Sequence, residues 1–317
     1  MRAAVVTGPG ADPVCADFPD PEPLPGHEPL ELVGAGVHQV VRSIAAGRHY
    51  GSDARYPLVP GVDAVARTAD GRLVYTGWPR APWGTMAEHL ATPLGLDLPA
   101  GADPLAIAAG MNPGMSGWLP LSGRLDELGR LGTVLVLGAT GMSGGMAVQS
   151  ALALGAERVI AAGRDPGALQ RLDARGATTV SLTADDPAAA LAAAVADTPP
   201  SIVLDYVWGS VAEAAFAAFG RRGLEEDAAD ISYVQIGSLG GDVAGLPASL
   251  LRSRRIRVTG SGAGSTSMQR ILVELPKVMA LITDGTLEAP YTAYPLSRVG
   301  DAWAHRHPGR AVVIPDR

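Results

Sequence analysis

Cysteine is almost missing: Cys15 is the single one among 317 residues. That excludes an internal disulfide and any multi-cysteine zinc site. Charge is scarce as well. Charged residues make up 18% of the chain and the net charge is −7, which argues against nucleic acid as a partner, since phosphate binding needs a basic face. Arg252-Ser253-Arg254-Arg255-Ile256-Arg257 is the one dense basic cluster, and it reads as a solvated helix end entering a strand. No apolar run reaches the roughly 18 residues of a membrane helix, and Met1–Thr7 reads as a first strand rather than a secretory signal. The expectation is a cytoplasmic protein with no membrane partner. Aromatic residues are only 5%.

What is abundant is small and apolar: 47% hydrophobic residues and 40 glycines. The length suffices for two domains, each with its own core. Residues 1 to about 110 read as β-rich. Pro19–Pro29 is an extended loop, strands are predicted at Leu30–Val37, Gly61–Arg67, Leu73–Thr76 and Thr85–Ala91, and Val40–Ala46 forms a short helix. From about 115 strands and helices alternate. The strands are Thr133–Leu137, Arg158–Ala162, Thr179–Leu182, Ile202–Tyr206, Tyr233–Ile236 and Ile256–Thr259; the helices are 144–154, 166–175, 187–196, 209–219 and 246–252. This rhythm predicts an α/β fold with a doubly wound parallel sheet. After the helix Ser267–Thr283, strands at Pro290–Pro295 and Arg310–Ile314 are expected to return to the first domain.

The densest signal is Leu135-Val136-Leu137-Gly138-Ala139-Thr140-Gly141-Met142-Ser143-Gly144-Gly145. A buried strand, a glycine turn and a helix in that order aim backbone N–H groups at a pyrophosphate on the positive end of the helix. The spacing is G-x-x-G-x-x-G, a loose motif in a glycine-rich chain, but its place between strand and helix raises its weight. Gly138, Thr140, Gly141, Met142, Ser143 and Gly144 are therefore candidate cofactor residues. An NAD site puts Asp or Glu about 20 residues beyond the glycines; here Gly163 and Arg164 stand there. A guanidinium offers paired donors to a 2′-phosphate, so NADP is favoured, the alternative being that Arg164 is solvated and Asp165 takes the ribose. Three further loops follow strands, at Asp205–Gly209, Gly237–Gly241 and Gly260–Ser265. They add Tyr206, Ile236, Gly237, Ser238, Gly260 and Ser261, although each loop in isolation equally fits an ordinary turn.

With these residues in place, the chain resembles the medium-chain dehydrogenase/reductase superfamily, in its zinc-free quinone oxidoreductase-like branch. Pro60-Gly61-Val62-Asp63-Ala64-Val65-Ala66-Arg67 is similar to the family's P-G-x-[DE]-x-x-G segment, and Gly84-Thr85-Met86-Ala87-Glu88-His89 to its G-x-[FYM]-A-E-[YH]. Met111–Trp118 stands where the family's segment beside the nicotinamide lies, adding Asn112 and Ser116. Pro295–Val299 with Gly309–Val313 resembles the closing P-L-x-x-[VA]…G-[RK]-x-V-[VI]. The resemblance implies a GroES-like β-rich catalytic domain, 1–114 with 266–317, a Rossmann NADP-binding domain, 115–265, and a homodimer. The positions matching the catalytic zinc ligands of other family members hold His38, Val62 and Asn112. One histidine cannot make a tetrahedral site, so no metal is expected.

Without metal, hydride suits an acceptor that is already electrophilic, a quinone or an α,β-unsaturated carbonyl. The protein must position it and supply a hydrogen-bond donor to the growing oxyanion. By resemblance Tyr50, in Gly47–Gly51, is the first candidate, and His38 the second; Tyr50 equally suits the cleft wall and His38 a structural place. Ser43 and His49 are auxiliary substrate residues, and Trp78, Trp83 and Trp208 a candidate aromatic wall, with core packing as the alternative. The reading is an NADPH-dependent quinone or enone reductase. Its rivals are a zinc-free carbonyl or alcohol oxidoreductase, a non-redox enzyme such as a cyclase on the same fold, and a nucleotide-binding protein without turnover.

Overall fold

The computed structural model describes residues 1–23, 25, 29–53, 55–223 and 227–316; positions 24 and 26–28 of the expected Pro19–Pro29 loop lie outside the described residues. In chain order the first elements are β1 (Arg2–Val5), β2 (Val14–Asp17), β3 (Leu30–Gly36), α1 (Gln39–Ala45), β4 (Asp63–Arg67), β5 (Leu73–Gly77), β6 (His89–Leu90) and β7 (Leu96–Asp97). Then come α2 (Pro104–Leu128), β8 (Thr133–Leu137), α3 (Met142–Ala153), β9 (Arg158–Gly163), α4 (Pro166–Asp173), β10 (Thr178–Ser181), α5 (Pro187–Val195), β11 (Ile202–Asp205), α6 (Gly209–Phe219), β12 (Ile231–Gln235), α7 (Ala248–Ser253) and β13 (Ile256–Gly260). The last are α8 (Met268–Thr283), β14 (Tyr291–Pro295), α9 (Val299–Ala304) and β15 (Arg310–Ile314).

The chain divides into two compact units: Met1–Asn112 with Pro276–Arg317, and Pro113–Leu275. Both divisions fall inside helices, at 112/113 in α2 and at 275/276 in α8, where 114/115 and 265/266 were expected.

In the second unit six parallel strands run in the order β10-β9-β8-β11-β12-β13. Every residue of β8 is buried, as a central parallel strand covered on both faces requires. Alternation sorts its side chains: Val134 and Val136 join Ala147, Val148 and Leu172 in one core, while Leu135 and Leu137 join Leu191, Phe216 and Tyr233 in another. The sheet is therefore wound on both sides, and its strand order reverses between β8 and β11. The Arg252–Arg257 cluster is satisfied locally. Arg254 pairs with Asp227, Arg255 donates to the Ala229 carbonyl at 2.8 Å, and Arg257 pairs with Glu127 at 2.8 Å.

The first unit holds a sheet of order β14-β15-β3-β4-β5-β7, with β6 also on β3. Its terminal strand β15 lies antiparallel on β3, so the chain does return after α8. The expected strand Thr85–Ala91 shrinks to His89–Leu90. Upstream, the Met86 N–H donates to the Pro60 carbonyl at 3.0 Å while the Met86 carbonyl accepts from the Ala4 N–H at 2.9 Å, so pairing with β1 is confined to an isolated bridge, Ala3 opposite Ala87. A second difference is α2, which turns the expected Met111–Trp118 segment into mid-helix despite Pro113 and Pro120.

The turn from β8 into α3 depends on Gly144. A Cβ there would lie 2.3 Å from the Gly138 carbonyl oxygen and 2.8 Å from the Ala139 Cα, both backbone atoms, whereas at Gly141 it meets nothing closer than 3.6 Å. Gly144→Ala is expected to cost roughly 2 kcal/mol or more through overpacking, and Gly141→Ala about 0.5–1 kcal/mol as a poorer cap residue. Urea unfolding of both variants checks this; equal midpoints would refute it.

Candidate functional site

The carboxyl ends of β8 and β9 gather the glycine turn. The N–H groups of Gly138 and Ala139 both donate to the Ala162 carbonyl at 2.9 Å, which ties the turn to the end of β9. At the start of α3 the cap residue is Gly141 in extended backbone, with no side-chain hydrogen bond and no acid in the first turn. The first N–H groups, at Met142, Ser143 and Gly144, are thus left for an external acceptor on the positive end of a twelve-residue helix.

Gly163 has a different neighbour from the one expected. A Cβ there would lie 2.3 Å from Thr140 Cγ2, so the glycine makes room for Thr140 as it leans across the strand end. Arg164 is exposed beside it. The alternative ribose ligand is already engaged: Asp165 caps α4, its Oδ1 accepting from the Ala168 N–H at 2.6 Å.

The ends of β11, β12 and β13 bring together the other cofactor candidates. Tyr206 is buried, its hydroxyl 3.2 Å from Ser116 Oγ, which itself donates to the Pro113 carbonyl at 2.6 Å. Burial pushes the Tyr206 phenol far above its ordinary value, with the Ser116 hydrogen bond opposing. Gln235 Nε2 donates to the Gly237 carbonyl at 3.0 Å, and the Ser261 N–H to the Gln235 carbonyl at 2.8 Å, linking Ile236–Ser238 to Gly260–Ser261. Asp205 went unrecognised as a side chain. It is fully buried, accepts from the Val207 and Trp208 N–H groups at 2.8 and 2.9 Å, and takes the Tyr233 hydroxyl at 2.6 Å. Burial raises its carboxyl pKa against the pull of these donors. The one signal was an acid closing an otherwise apolar strand, Ile202-Val203-Leu204-Asp205.

Trp208 corrects the expected aromatic wall. Half-buried at the start of α6, it packs edge-on against Phe216 at 6.0 Å and Tyr233 at 6.3 Å, against the core they belong to.

The remaining candidates belong to the first unit. Tyr50 is 75% exposed and its ring stacks on His49 at 4.1 Å and 33°. His49 Nδ1 accepts from the Gly51 N–H at 3.0 Å. Trp78 is 37% exposed with a backbone φ of +58°, and Trp83 Nε1 donates to the Pro19 carbonyl at 3.1 Å. Ser43 is half-buried in α1, and Asn112 half-buried in α2. His38 instead lies in the interior, 1% exposed, at the cap position of α1. Its Nε2 is 3.2 Å from Asp63 Oδ1, and Asp63 Oδ2 accepts from the Tyr75 hydroxyl at 2.8 Å. Arg310, whose Nη1 donates to the Val37 carbonyl at 3.3 Å, completes a buried polar cluster. Among the described residues no three His, Cys, Asp or Glu side chains come together as metal ligands.

Burial holds the His38 pKa below its ordinary 6.5, with Arg310 adding and Asp63 opposing. The folded chain therefore binds this proton more weakly than the unfolded chain. The unfolded state takes up the extra proton as pH falls below about 6.5, so stability drops on the acid side. His38→Asn is expected to flatten that slope in unfolding measured from about pH 7.5 to about 5.5. His49 and His305, also shifted down, are common to both proteins and cancel. Superimposable slopes would refute the assignment.

No protein-family model matches the chain. It is 30% identical to a probable NADPH-dependent quinone reductase of Emericella nidulans, over 99% of this chain and 100% of that protein. The quinone oxidoreductase of Thermus thermophilus, known also in complex with NADPH, has a TM-score of 0.78 at 26% identity, covering 99% and 100% of the two chains. An alcohol dehydrogenase superfamily protein of Novosphingobium aromaticivorans has a TM-score of 0.75 at 22% identity, each chain covered completely, a likeness of fold alone. The chain belongs to the medium-chain dehydrogenase/reductase superfamily, in its quinone reductase branch.

Proposed function

We propose that this chain is an NADPH-dependent oxidoreductase that delivers hydride, without metal, to a quinone or an α,β-unsaturated carbonyl. The observation that carries the reading is the open amino end of α3, behind the glycine turn where the strand order reverses, with Arg164 at the next strand end and Asp165 committed to its helix. These groups fit a dinucleotide bearing a 2′-phosphate. The N–H groups of Met142, Ser143 and Gly144 hold the pyrophosphate, and Arg164 takes the 2′-phosphate. Asn112, Ser116, Tyr206, Ile236, Gly237, Ser238, Gly260 and Ser261 serve the nicotinamide half.

When bound, NADPH supplies the hydride and the electronic difficulty of the step. As hydride adds to the acceptor, negative charge moves to its oxygen, and the chain's task is to meet that charge. Tyr50 presents an exposed phenol for this purpose, whose hydroxyl can donate a hydrogen bond. Ser43, His49, Trp78 and Trp83 shape the acceptor's surroundings, while His38, buried against Asp63, takes the structural place rather than a donor's. A metal-free site is supported by the single cysteine and by Val62 and Asn112 at positions that would otherwise supply ligands. The proposal extends to a cytoplasmic homodimer formed through the edge strand β13, where Arg257, Thr259 and Gly260 are exposed.

NADPH oxidation followed against a panel of quinones and enones tests the activity; tight NADPH binding without turnover on any of them would sink it. Arg164→Ala is expected to lower kcat/KM for NADPH about 10- to 100-fold, the worth of a charge-assisted contact, and to leave NADH within about twofold. Equal losses would remove Arg164 from the 2′-phosphate. Tyr50→Phe is expected to lower kcat about tenfold or more, and an unchanged kcat would leave the ring a packing group.

A further inference from the structure

The loops that follow β11 and β12 are fastened to a single residue. Besides the three donors on its carboxylate, Asp205 takes the N–H groups of Ile236 at 2.7 Å and Gly237 at 3.1 Å on its main-chain oxygen. Two residues on, the Val207 carbonyl accepts from the Gly240 N–H at 2.7 Å. The segments 205–209 and 236–240 are thereby one hydrogen-bonded body, with Asp205 at its base.

This body holds a strained residue. Trp208 sits at φ +60° and ψ −160°, a region that side chains other than glycine rarely enter and keep only where their surroundings over-determine it. The surroundings here are Asp205 Oδ1 on its N–H and the aromatic pair Phe216 and Tyr233 around its indole. Starting α6 does not require the strain. A Ser, Thr or Asp in extended backbone caps a helix without it. What the strain does secure is the path of the chain across the carboxyl ends of β11 and β12.

In a sheet wound in this order each half holds one nucleotide of a dinucleotide, outside the carboxyl ends of its strands. The half β8–β10 carries the glycine turn and Arg164; the half β11–β13 carries the body built on Asp205. We propose that Asp205 is a positioning residue for the nicotinamide half of the cofactor, holding Tyr206–Gly209 and Ile236–Gly240 as one preformed platform through Tyr233 and the strained Trp208. The adenosine half binds independently of it. This inference rests on the NADPH reading above.

The two halves are separated by comparing NADPH with adenosine 2′,5′-bisphosphate, which carries only the adenosine end. Calorimetry on the full-length chain gives both affinities for the wild type, Asp205→Ala, Asp205→Asn and Tyr233→Phe. Asp205→Ala removes three hydrogen bonds and is expected to weaken NADPH about tenfold or more, with the bisphosphate changed less than about twofold. Asp205→Asn keeps an oxygen for the two backbone N–H groups and is expected to recover most of the loss. Tyr233→Phe keeps the ring and removes one donor, with an expected loss of about threefold for NADPH alone; it decides the matter if Asp205→Ala does not fold. Parallel weakening of both ligands would make Asp205 a merely structural residue and overturn the proposal, as would unchanged NADPH affinity in every variant. A wild-type chain that bound neither ligand would instead remove the cofactor reading on which the proposal stands.

Discussion

The approach of α3 to the end of β8 is the constraint from which the rest of the parallel-sheet unit follows. With only hydrogen at Gly144, the helix settles onto the Gly138 carbonyl, and its free N–H groups are held at the sheet's carboxyl edge. The closeness propagates. One turn further, Ala147 meets α2 at Gly117, where a Cβ would lie 2.6 Å from that of Ala147. Next to Gly117, Ser116 reaches the Tyr206 hydroxyl and so ties α2 to the loop after β11. Two missing side chains, at Gly144 and Gly117, thus set the depth of two helices and the reach of a hydroxyl to the second half of the site.

Periodicity carried most of the α/β architecture. Buried parallel strands are short continuous apolar runs, and each run from Thr133 to Ile256 became a strand within a residue or two of its expected ends. Helix α2 was not among the expected helices, and it forms although Pro113 and Pro120 each oppose a helix by about 3 kcal/mol. The structure overrides them because Ile107, Met111, Met115, Trp118 and Leu121 recur at helical spacing and are all buried, worth roughly 1.5–3 kcal/mol apiece. The stripe was present in the sequence and went unread.

The candidate site was legible where backbone chemistry makes it and illegible where side chains meet across the fold. A glycine turn between strand and helix is written in consecutive residues. That Gly163 accommodates Thr140, that Asp165 is consumed as a cap, and that Asp205 takes three of its five donors from Tyr233, Ile236 and Gly237 depend on neighbours 23 to 32 residues away, or on a helix start known only to within a turn. The tryptophans show the same limit. Trp78 and Trp208 share a left-handed backbone, yet one is partly exposed and the other packs against a core.

The buried cluster of the first unit bears on which acceptor the enzyme suits. His38, Asp63, Tyr75 and Arg310 combine a carboxylate with one cation and two neutral partners, an arrangement that limits the cost of burying the charge. Burial keeps the imidazole neutral at pH 7 and lifts the Tyr75 phenol well above its ordinary value. Neither group is then a strong acid toward a bound acceptor. A simple ketone or aldehyde, whose reduction generates a strongly basic alkoxide, needs a strong acid or a metal at that oxygen. A quinone or enone spreads the incoming charge into a phenolate or enolate, for which a hydrogen bond from a hydroxyl such as that of Tyr50 suffices. On the proposed reading, an interior that withholds a strong acid suits a conjugated acceptor better than an isolated carbonyl.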